Sequence, residues 1–131
     1  MRILIALLLY IPAIAFACYC GSATVEERVA ESDFIYVGTV VNSYTDNEKV
    51  IYNTLVADEL IKGNPVSLSF TNETLETSLC AQSTSVGVRY LVFGNYGSSV
   101  HLSSCSYTQA LPIYGSEGLA SVREAANKRV N

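Results

Sequence analysis

The sequence predicts a mostly β domain, a small closed or partly open barrel of five strands, with a short helix near its start and a longer helix at its end. Five short segments rich in β-branched and aromatic residues succeed one another between turn-forming Gly, Asn, Asp and Pro residues, which is the pattern of a small barrel. Apolar residues recur at helical spacing after the last of these segments. Four cysteines, an even number, favour disulfide bonds if the chain is exported.

Positions 1–17 have the composition of a signal peptide. Arg2 supplies the positive charge, Ile3–Tyr10 is apolar, and Ala15-Phe16-Ala17 ends the stretch with the small residues that suit cleavage. The alternative is a membrane anchor, but the stretch is shorter than the roughly 20 residues that span a bilayer, and Pro12 interrupts it. We therefore expect a secreted, extracellular protein, or a periplasmic one if the host is Gram-negative.

Residues 18–131 would remain after cleavage. Removing 17 of the 131 residues leaves 114, which is enough for one domain with a single hydrophobic core. Arg2 is one of eight Lys and Arg, so this part has seven of them against twelve Asp and Glu, a net charge of −5. Because no basic stripe could neutralise phosphates, we expect no nucleic-acid partner. We also expect a monomer without a cofactor.

The spacing of the cysteines restricts their pairing. A bond between Cys18 and Cys20 would close a very small, strained ring, so each is expected to bond either Cys80 or Cys105, and two pairings remain open. A structural zinc site is the alternative, but Cys18 and Cys20 are the only closely spaced pair, and the single histidine, His101, lies four residues from Cys105. We therefore expect two disulfides, which would hold the start of the mature chain at two points.

The early helix and the strands follow in chain order. Thr24-Val25-Glu26-Glu27 has the pattern of a capping box and predicts a helix that runs to about Glu31. Gly38 interrupts the first strand and predicts a bulge. The last two strands are predicted to pair as a hairpin across Asn95-Tyr96-Gly97. The five strands are predicted at Phe34–Val41, Val50–Ala57, Val66–Phe70, Gly87–Gly94 and Val100–Ser103.

The end of the chain predicts a helix that packs against the barrel. Ser116 can cap it. Its apolar residues recur at helical spacing at Leu119, Val122, Ala126 and Val130. Its basic residues would face solvent, and they are Arg123, Lys128 and Arg129.

Residues suited to catalysis are sparse. His101 is isolated, and no Gly-x-Ser-x-Gly turn is present. The acidic residues Asp33, Asp46, Asp58 and Glu59 have no spacing that suggests a catalytic carboxylate pair. We therefore expect no enzymatic activity.

Two motifs concern covalent modification. Cys18 stands where a bacterial lipoprotein would carry its acylated cysteine, but such sites usually have Leu at the place of Ala15 and a small residue at the place of Phe16. Acylation would occupy the thiol and the amine of Cys18, so we expect no membrane association unless Cys18 is lipidated. Asn72-Glu73-Thr74 is an N-glycosylation sequon, which matters only in a eukaryotic host.

Several segments together carry a family resemblance that spans nearly the whole mature chain. They are Cys18-Tyr19-Cys20, the early helix, Phe34–Val41, Ile61-Lys62-Gly63, Ser78-Leu79-Cys80, and Gly87–Gly94 followed by Cys105. This set resembles the N-terminal domain of tissue inhibitors of metalloproteinases, which belongs to the netrin-like group. The resemblance implies an OB-type barrel of five strands with flanking helices over residues 18–131. It also implies the disulfide pairing Cys18–Cys80 and Cys20–Cys105.

The same resemblance implies a function. In those inhibitors the free α-amino group and the carbonyl oxygen of the N-terminal cysteine chelate the catalytic zinc of the target protease, and a catalytic zinc keeps an open position for such ligands. Cys18 would then be the chelating residue, and Tyr19, larger than the Ser or Thr usual there, would enter the primary specificity pocket. The inhibitory ridge would consist of Cys18, Tyr19, Cys20, Ser78, Leu79 and Cys80.

The expected partner is therefore a secreted or periplasmic zinc metalloprotease, and the protein would bind no metal except the zinc of its target. The alternative is a secreted netrin-like module that binds proteins or has a structural role without inhibiting any protease. In that case Cys18 and Cys20 would only fasten the terminus, since a fold does not determine a function.

Overall fold

The computed structural model describes residues 18–130, and the predicted signal peptide at positions 1–17 lies outside the described residues. The described part has a mostly β fold with two helices, so the predicted fold class is confirmed. In chain order the elements are helix α1 (Val25–Glu31), strands β1 (Phe34–Thr45), β2 (Val50–Lys62), β3 (Ser69–Glu73), β4 (Arg89–Gly94), β5 (His101–Leu102) and β6 (Gln109–Ala110), and helix α2 (Leu111–Lys128).

The strands form one sheet in the order β5-β3-β2-β1-β4-β6. Strands β1, β2 and β3 form an antiparallel meander, and β4 returns to the other edge of β1. Strand β5 pairs with β3 in parallel, with Thr71 opposite His101. The sheet curls into a nearly closed barrel of the OB type.

Glycine allows the first strand to bend at the predicted place. A Cβ atom on Gly38 would lie 3.0 Å from Cε2 of Tyr36 and 3.1 Å from the carbonyl oxygen of Val56 on the neighbouring strand. The pairing of β1 with β2 shifts register between Val37 and Gly38. The bulge predicted at Gly38 is therefore confirmed, and it lets β1 follow the curve of the barrel.

The first half of β1, Phe34–Val40, and β4 after Arg89 are buried on both faces, which explains why apolar residues follow one another there with little alternation. One face packs against the two helices through a cluster of Val29, Ile35, Val37, Leu91, Phe93, Leu119, Val122, Ala125 and Ala126. The other face fills the barrel with Phe34, Tyr36, Val40, Leu55, Phe70, Tyr90, Val92 and Leu102. The core thus has two layers, and β1 and β4 lie between them.

The predicted hairpin across residues 95–97 is wrong. Strand β5 does not pair with β4; it lies parallel to β3, and the free edge of β4 is taken by β6, a strand that the sequence did not predict. Strand β3 begins at Ser69, later than the predicted Val66, and continues to Glu73, beyond the predicted end at Phe70. Strands β1 and β2 extend to Thr45 and Lys62, beyond the predicted ends.

Helix α2 consists of two pieces separated by Gly115, whose φ of 70° and ψ of 170° are not helical. The predicted cap residue, Ser116, follows this break directly, and the helix begins before it, at Leu111. Leu119, Val122 and Ala126 are buried as predicted, but Val130 is 86% exposed because it lies beyond the end of the helix.

The side chain of Arg123 is exposed as predicted, and it also contacts the barrel. Its guanidinium donates hydrogen bonds of 2.8 and 2.6 Å to the two carboxylate oxygens of Glu59 on β2. This forked ion pair fastens α2 to the barrel.

Candidate functional site

Two disulfides bring the segments of the inhibitory ridge together. Cys18 is bonded to Cys80, with 5.7 Å between their Cα atoms, and Cys20 is bonded to Cys105, with 5.0 Å. Both distances lie in the usual range for disulfides. This is the pairing that the resemblance implies, out of the two that the spacing left open. It fixes Tyr19 between two covalent attachments.

The two attachment points are themselves joined. Ala81 and Ser103 form an antiparallel bridge. The backbone amide of Ser104 donates to the carbonyl oxygen of Cys80 at 2.9 Å, and the hydroxyl of Ser104 donates to the same oxygen at 3.0 Å. The segments that carry Cys80 and Cys105 therefore form one platform, to which residues 18–20 are fastened.

A tight turn sets the direction of the second ridge segment. The amide of Ala81 donates to the carbonyl oxygen of Ser78 at 3.2 Å, and the amide of Cys80 donates to the hydroxyl of Ser78 at 3.2 Å. The Ser78 hydroxyl is thus occupied within the turn. The intervening residue, Leu79, has a side chain that is 78% exposed.

The ridge presents two large side chains to solvent. Tyr19 is 95% exposed and Leu79 is 78% exposed, on segments that the Cys18–Cys80 bond joins. Single exposed apolar residues are common on protein surfaces, but here both occupy backbone that covalent bonds and turns hold in place. Such side chains can enter pockets of a partner at little cost in conformational entropy.

Two buried asparagines fasten the second ridge segment to the barrel. Asn53 and Asn72 are 1% and 0% exposed, and the Asn53 amide donates to the Asn72 oxygen at 2.8 Å. Asn72 donates to the carbonyl oxygen of Gln82 at 2.7 Å, and the hydroxyl of Thr84 donates to Asn53 at 3.0 Å. Sequence reasoning missed this network. The available signal was the alternation along each strand, since Asn53 is two residues from Leu55 on β2 and Asn72 is two residues from Phe70 on β3.

The site has no thiolate available for a metal, because all four cysteines are in disulfides. Among residues 18–130, no group of three or more His, Cys, Asp and Glu side chains is arranged to hold a metal ion. His101 lies on β5, where its Nδ1 is 3.1 Å from the hydroxyl of Thr71. The chemistry that the ridge itself offers is that of a rigid backbone terminus and two exposed side chains.

Two further observations concern the surroundings of the protein. Its two disulfides are typical of an extracellular or other oxidising compartment. Within the described part of the chain, neither helix combines the length and the apolar composition needed to cross a bilayer.

A scan against protein-family models and a search of curated proteins found no match to this chain. Neither comparison identifies the netrin-like family.

Proposed function

We propose that the protein is a secreted inhibitor of zinc metalloproteases that acts through the ridge, with Cys18 as the ligand to the zinc of the target. One observation carries the proposal: residues 18–20 are bonded at both ends to the platform that also carries Ser78–Cys80. A terminus held in this way keeps its backbone atoms in one place. The proposal includes no catalytic activity of the protein itself.

The zinc ligands would be the α-amine and the carbonyl oxygen of Cys18. Together they form a five-membered chelate, which displaces the water at the open position of a catalytic zinc. The α-amine exists only after cleavage behind Ala17, so removal of the signal peptide is part of the mechanism. Because the bonds of Cys18 and Cys20 order the segment in advance, binding avoids the ordering entropy that a free peptide would lose.

The exposed side chains would select the target. Tyr19 follows the chelating residue and would fill the primary specificity pocket, which must be deep to accept a phenol ring. Leu79 would contact the next subsite, because the Cys18–Cys80 bond holds its segment beside the terminus. Ser78 would act within the protein by holding the turn that presents Leu79.

The first measurement is the intact, non-reduced mass of the exported protein together with its N-terminal sequence. The proposal requires that the exported protein begins with an unmodified Cys18. Its mass must be lower by four hydrogens than the mass of the reduced chain. A lipid-modified, blocked or extended terminus would rule out the chelation mechanism.

A panel of secreted zinc metalloproteases then tests inhibition by the mature protein and by a variant with one alanine before Cys18. The extension moves the amine away from the carbonyl oxygen that completes the chelate, so inhibition should be lost while both disulfides form. Leu79→Ala should weaken inhibition, whereas Val66→Ala removes an apolar side chain of similar exposure (82%) outside the ridge and should not.

A protein-binding module without inhibitory activity is the second candidate, and the β1–β2 hairpin favours it. Large apolar side chains are exposed along this hairpin, and the rings of Tyr44 and Tyr52 stack 5.1 Å apart. Such a surface could bind a protein without help from Cys18. The alanine extension separates the two candidates, because binding through the hairpin would be unchanged by it.

A further inference from the structure

A cavity of about 370 Å³ lies beside the ridge. Cys20, Gly21 and Cys105 form one wall, so the cavity shares the Cys20–Cys105 bond with the ridge segment. Arg28 of α1 lines the cavity, together with Tyr107 and Tyr114.

The side chain of Arg28 is held firmly without a carboxylate. Its Nε donates to the carbonyl oxygen of Ala23 at 3.2 Å, and its Nη1 donates to the hydroxyl of Tyr114 at 3.0 Å. The guanidinium carbon lies 5.3 Å from the centre of the Tyr107 ring, a distance typical of a cation–π contact. Arg28 forms no ion pair with any residue from 18 to 130. The remaining N–H donors of its guanidinium are free to bind a ligand.

Two of the three acidic residues of the same helix, Glu27 and Glu31, already have partners. The Glu31 carboxylate accepts a hydrogen bond of 2.8 Å from the hydroxyl of Tyr107, and this bond raises the pKa of Tyr107. The Glu27 carboxylate accepts the amide of Thr24 in the capping box at 2.7 Å. Because Glu31 bonds Tyr107, which lines the cavity, its negative charge disfavours a doubly charged anion there. A singly charged carboxylate is repelled less, and its two oxygens match the fork of an arginine.

We propose that the Arg28 cavity binds a carboxylate side chain of the protein that docks on the ridge. The inference rests on the proposed function, since the partner is the protease bound at Cys18. Continuity supports it: Cys20, Gly21 and Cys105 line the cavity while Cys20 also belongs to the ridge, so a protein seated on the ridge would lie next to the cavity. An Asp or Glu side chain of the protease would then form an ion pair with Arg28.

The first test needs no protease. The mature protein, labelled with ¹⁵N, is titrated with sodium acetate at constant ionic strength while the Arg28 Nε signal and the amides of Gly21 and Tyr107 are followed. Saturable shifts are expected with acetate and none with acetamide, its neutral analogue, and Arg28→Gln should abolish them. Equal responses to both compounds, or no response, would overturn the cavity as a carboxylate site.

The second test uses a protease that the mature protein inhibits. Arg28→Gln is expected to weaken inhibition about tenfold, since hydrogen bonds to charged groups are worth roughly that factor. Arg28→Lys keeps the positive charge but lacks the forked N–H donors of the guanidinium. Its inhibition should therefore lie between that of the wild type and that of Arg28→Gln. Arg129→Gln is the matched control for net charge, because Arg129 caps the far end of α2. Thermal unfolding and non-reduced mass confirm that each variant is folded.

The outcomes separate this inference from the proposed function. If the wild type inhibits no protease of the panel, the proposed function is wrong, and so is the protease as the partner of Arg28. The acetate titration then still decides whether the cavity binds a carboxylate. If inhibition occurs and Arg28→Gln leaves it unchanged, the partner carboxylate is disproved and the ridge mechanism stands. If Arg28→Gln does not fold, Arg28→Lys and the acetate titration of the wild type decide the question.

Discussion

Asn72 donates its side-chain amide to the carbonyl oxygen of Gln82 at 2.7 Å, and the same nitrogen is the atom that N-glycosylation would modify. Asn72 is 0% exposed and lies on β3, inside the barrel. A glycan on this nitrogen cannot fit there. Glycosylation of the sequon Asn72-Glu73-Thr74 is therefore incompatible with the native fold.

We predict that expression through a eukaryotic secretory pathway gives two populations. Chains glycosylated at Asn72 should be retained and misfolded, and folded protein in the medium should carry no glycan. Thr74→Ala destroys the sequon and should increase secretion. Gel mobility before and after enzymatic deglycosylation checks this, with Thr77→Ala as a control in the same loop. A folded, secreted chain that loses a glycan on treatment would contradict the prediction.

Tyr36 offers a test of the barrel interior. Its side chain is 0% exposed, its hydroxyl has no hydrogen-bond partner among the described residues, and burial raises its pKa. An unpaired buried hydroxyl destabilises a fold, so Tyr36→Phe should increase the free energy of unfolding by about 1 kcal/mol. Chemical denaturation checks this. A loss of stability would mean that the hydroxyl binds a buried water molecule.

Gly63 follows β2 within the Ile61-Lys62-Gly63 motif. Its φ is +59°, and a Cβ atom would lie 2.3 Å from the carbonyl oxygen of Asp33. Gly63→Ala should therefore cost more than the roughly 1 kcal/mol of an unfavourable φ alone, because the backbone must also move. Gly97→Ala is the matched control, since its φ is +81° and a Cβ there would meet nothing. Equal losses of stability in the two variants would show that the contact with Asp33 is unimportant.

The ion pair between Arg123 and Glu59 predicts a pH effect. The hydrogen bond from Arg123 lowers the pKa of the Glu59 carboxyl below its usual value. A carboxyl group whose pKa is lower in the folded than in the unfolded protein stabilises the fold at pH values above its unfolded-state pKa. This stabilisation is lost as the pH falls through the folded-state pKa.

Arg123→Gln should therefore reduce stability at pH 7, and the difference from the wild type should shrink below about pH 4. Urea denaturation at the two pH values measures it. Lys128→Gln breaks the ion pair with Glu124 inside α2 and is the control, with a smaller expected effect. If the loss of stability in Arg123→Gln were the same at both pH values, it would come from lost packing of the side chain and not from the lost ion pair.

Inhibition itself should depend on pH. An unperturbed α-amine has a pKa of about 7.7–8.0, and zinc binds only its neutral form. The inhibition constant should thus be about thirty- to fiftyfold larger at pH 6 than at pH 8. Protease assays over this range, corrected for the activity of the uninhibited enzyme, test the slope. A flat profile would mean that the Cys18 amine is not a ligand.

Local patterns predicted much of the fold. The capping box is present, with the Glu27 amide donating to the Thr24 hydroxyl at 3.2 Å, and the bulge lies at Gly38. These features depend on residues close in sequence. The parallel pairing of Thr71 with His101 joins residues that are distant in sequence. A turn at 95–97 was equally compatible with the pairing of β5 with β4, which is wrong.

In the candidate site, too, features set by nearby residues were predictable and features set by distant residues were not. Cysteine spacing alone narrows the pairing to two choices, because it excludes only the bond between Cys18 and Cys20. Nothing in the sequence indicated that Arg28, Tyr107 and Tyr114 line one cavity, because they come from distant segments. The asparagine pair was missed because polar residues in strands usually face solvent.

The two disulfides also tie the start of the mature chain to the fold of the whole domain. Cys18 bonds a cysteine 62 residues away, and Cys20 bonds one 85 residues away, so both bonds enclose most of the barrel. The backbone bridge between Ala81 and Ser103 joins the two segments that carry their partners. The position of residues 18–20 is consequently set by contacts made far along the chain, and a change that separates those two segments would also displace the terminus.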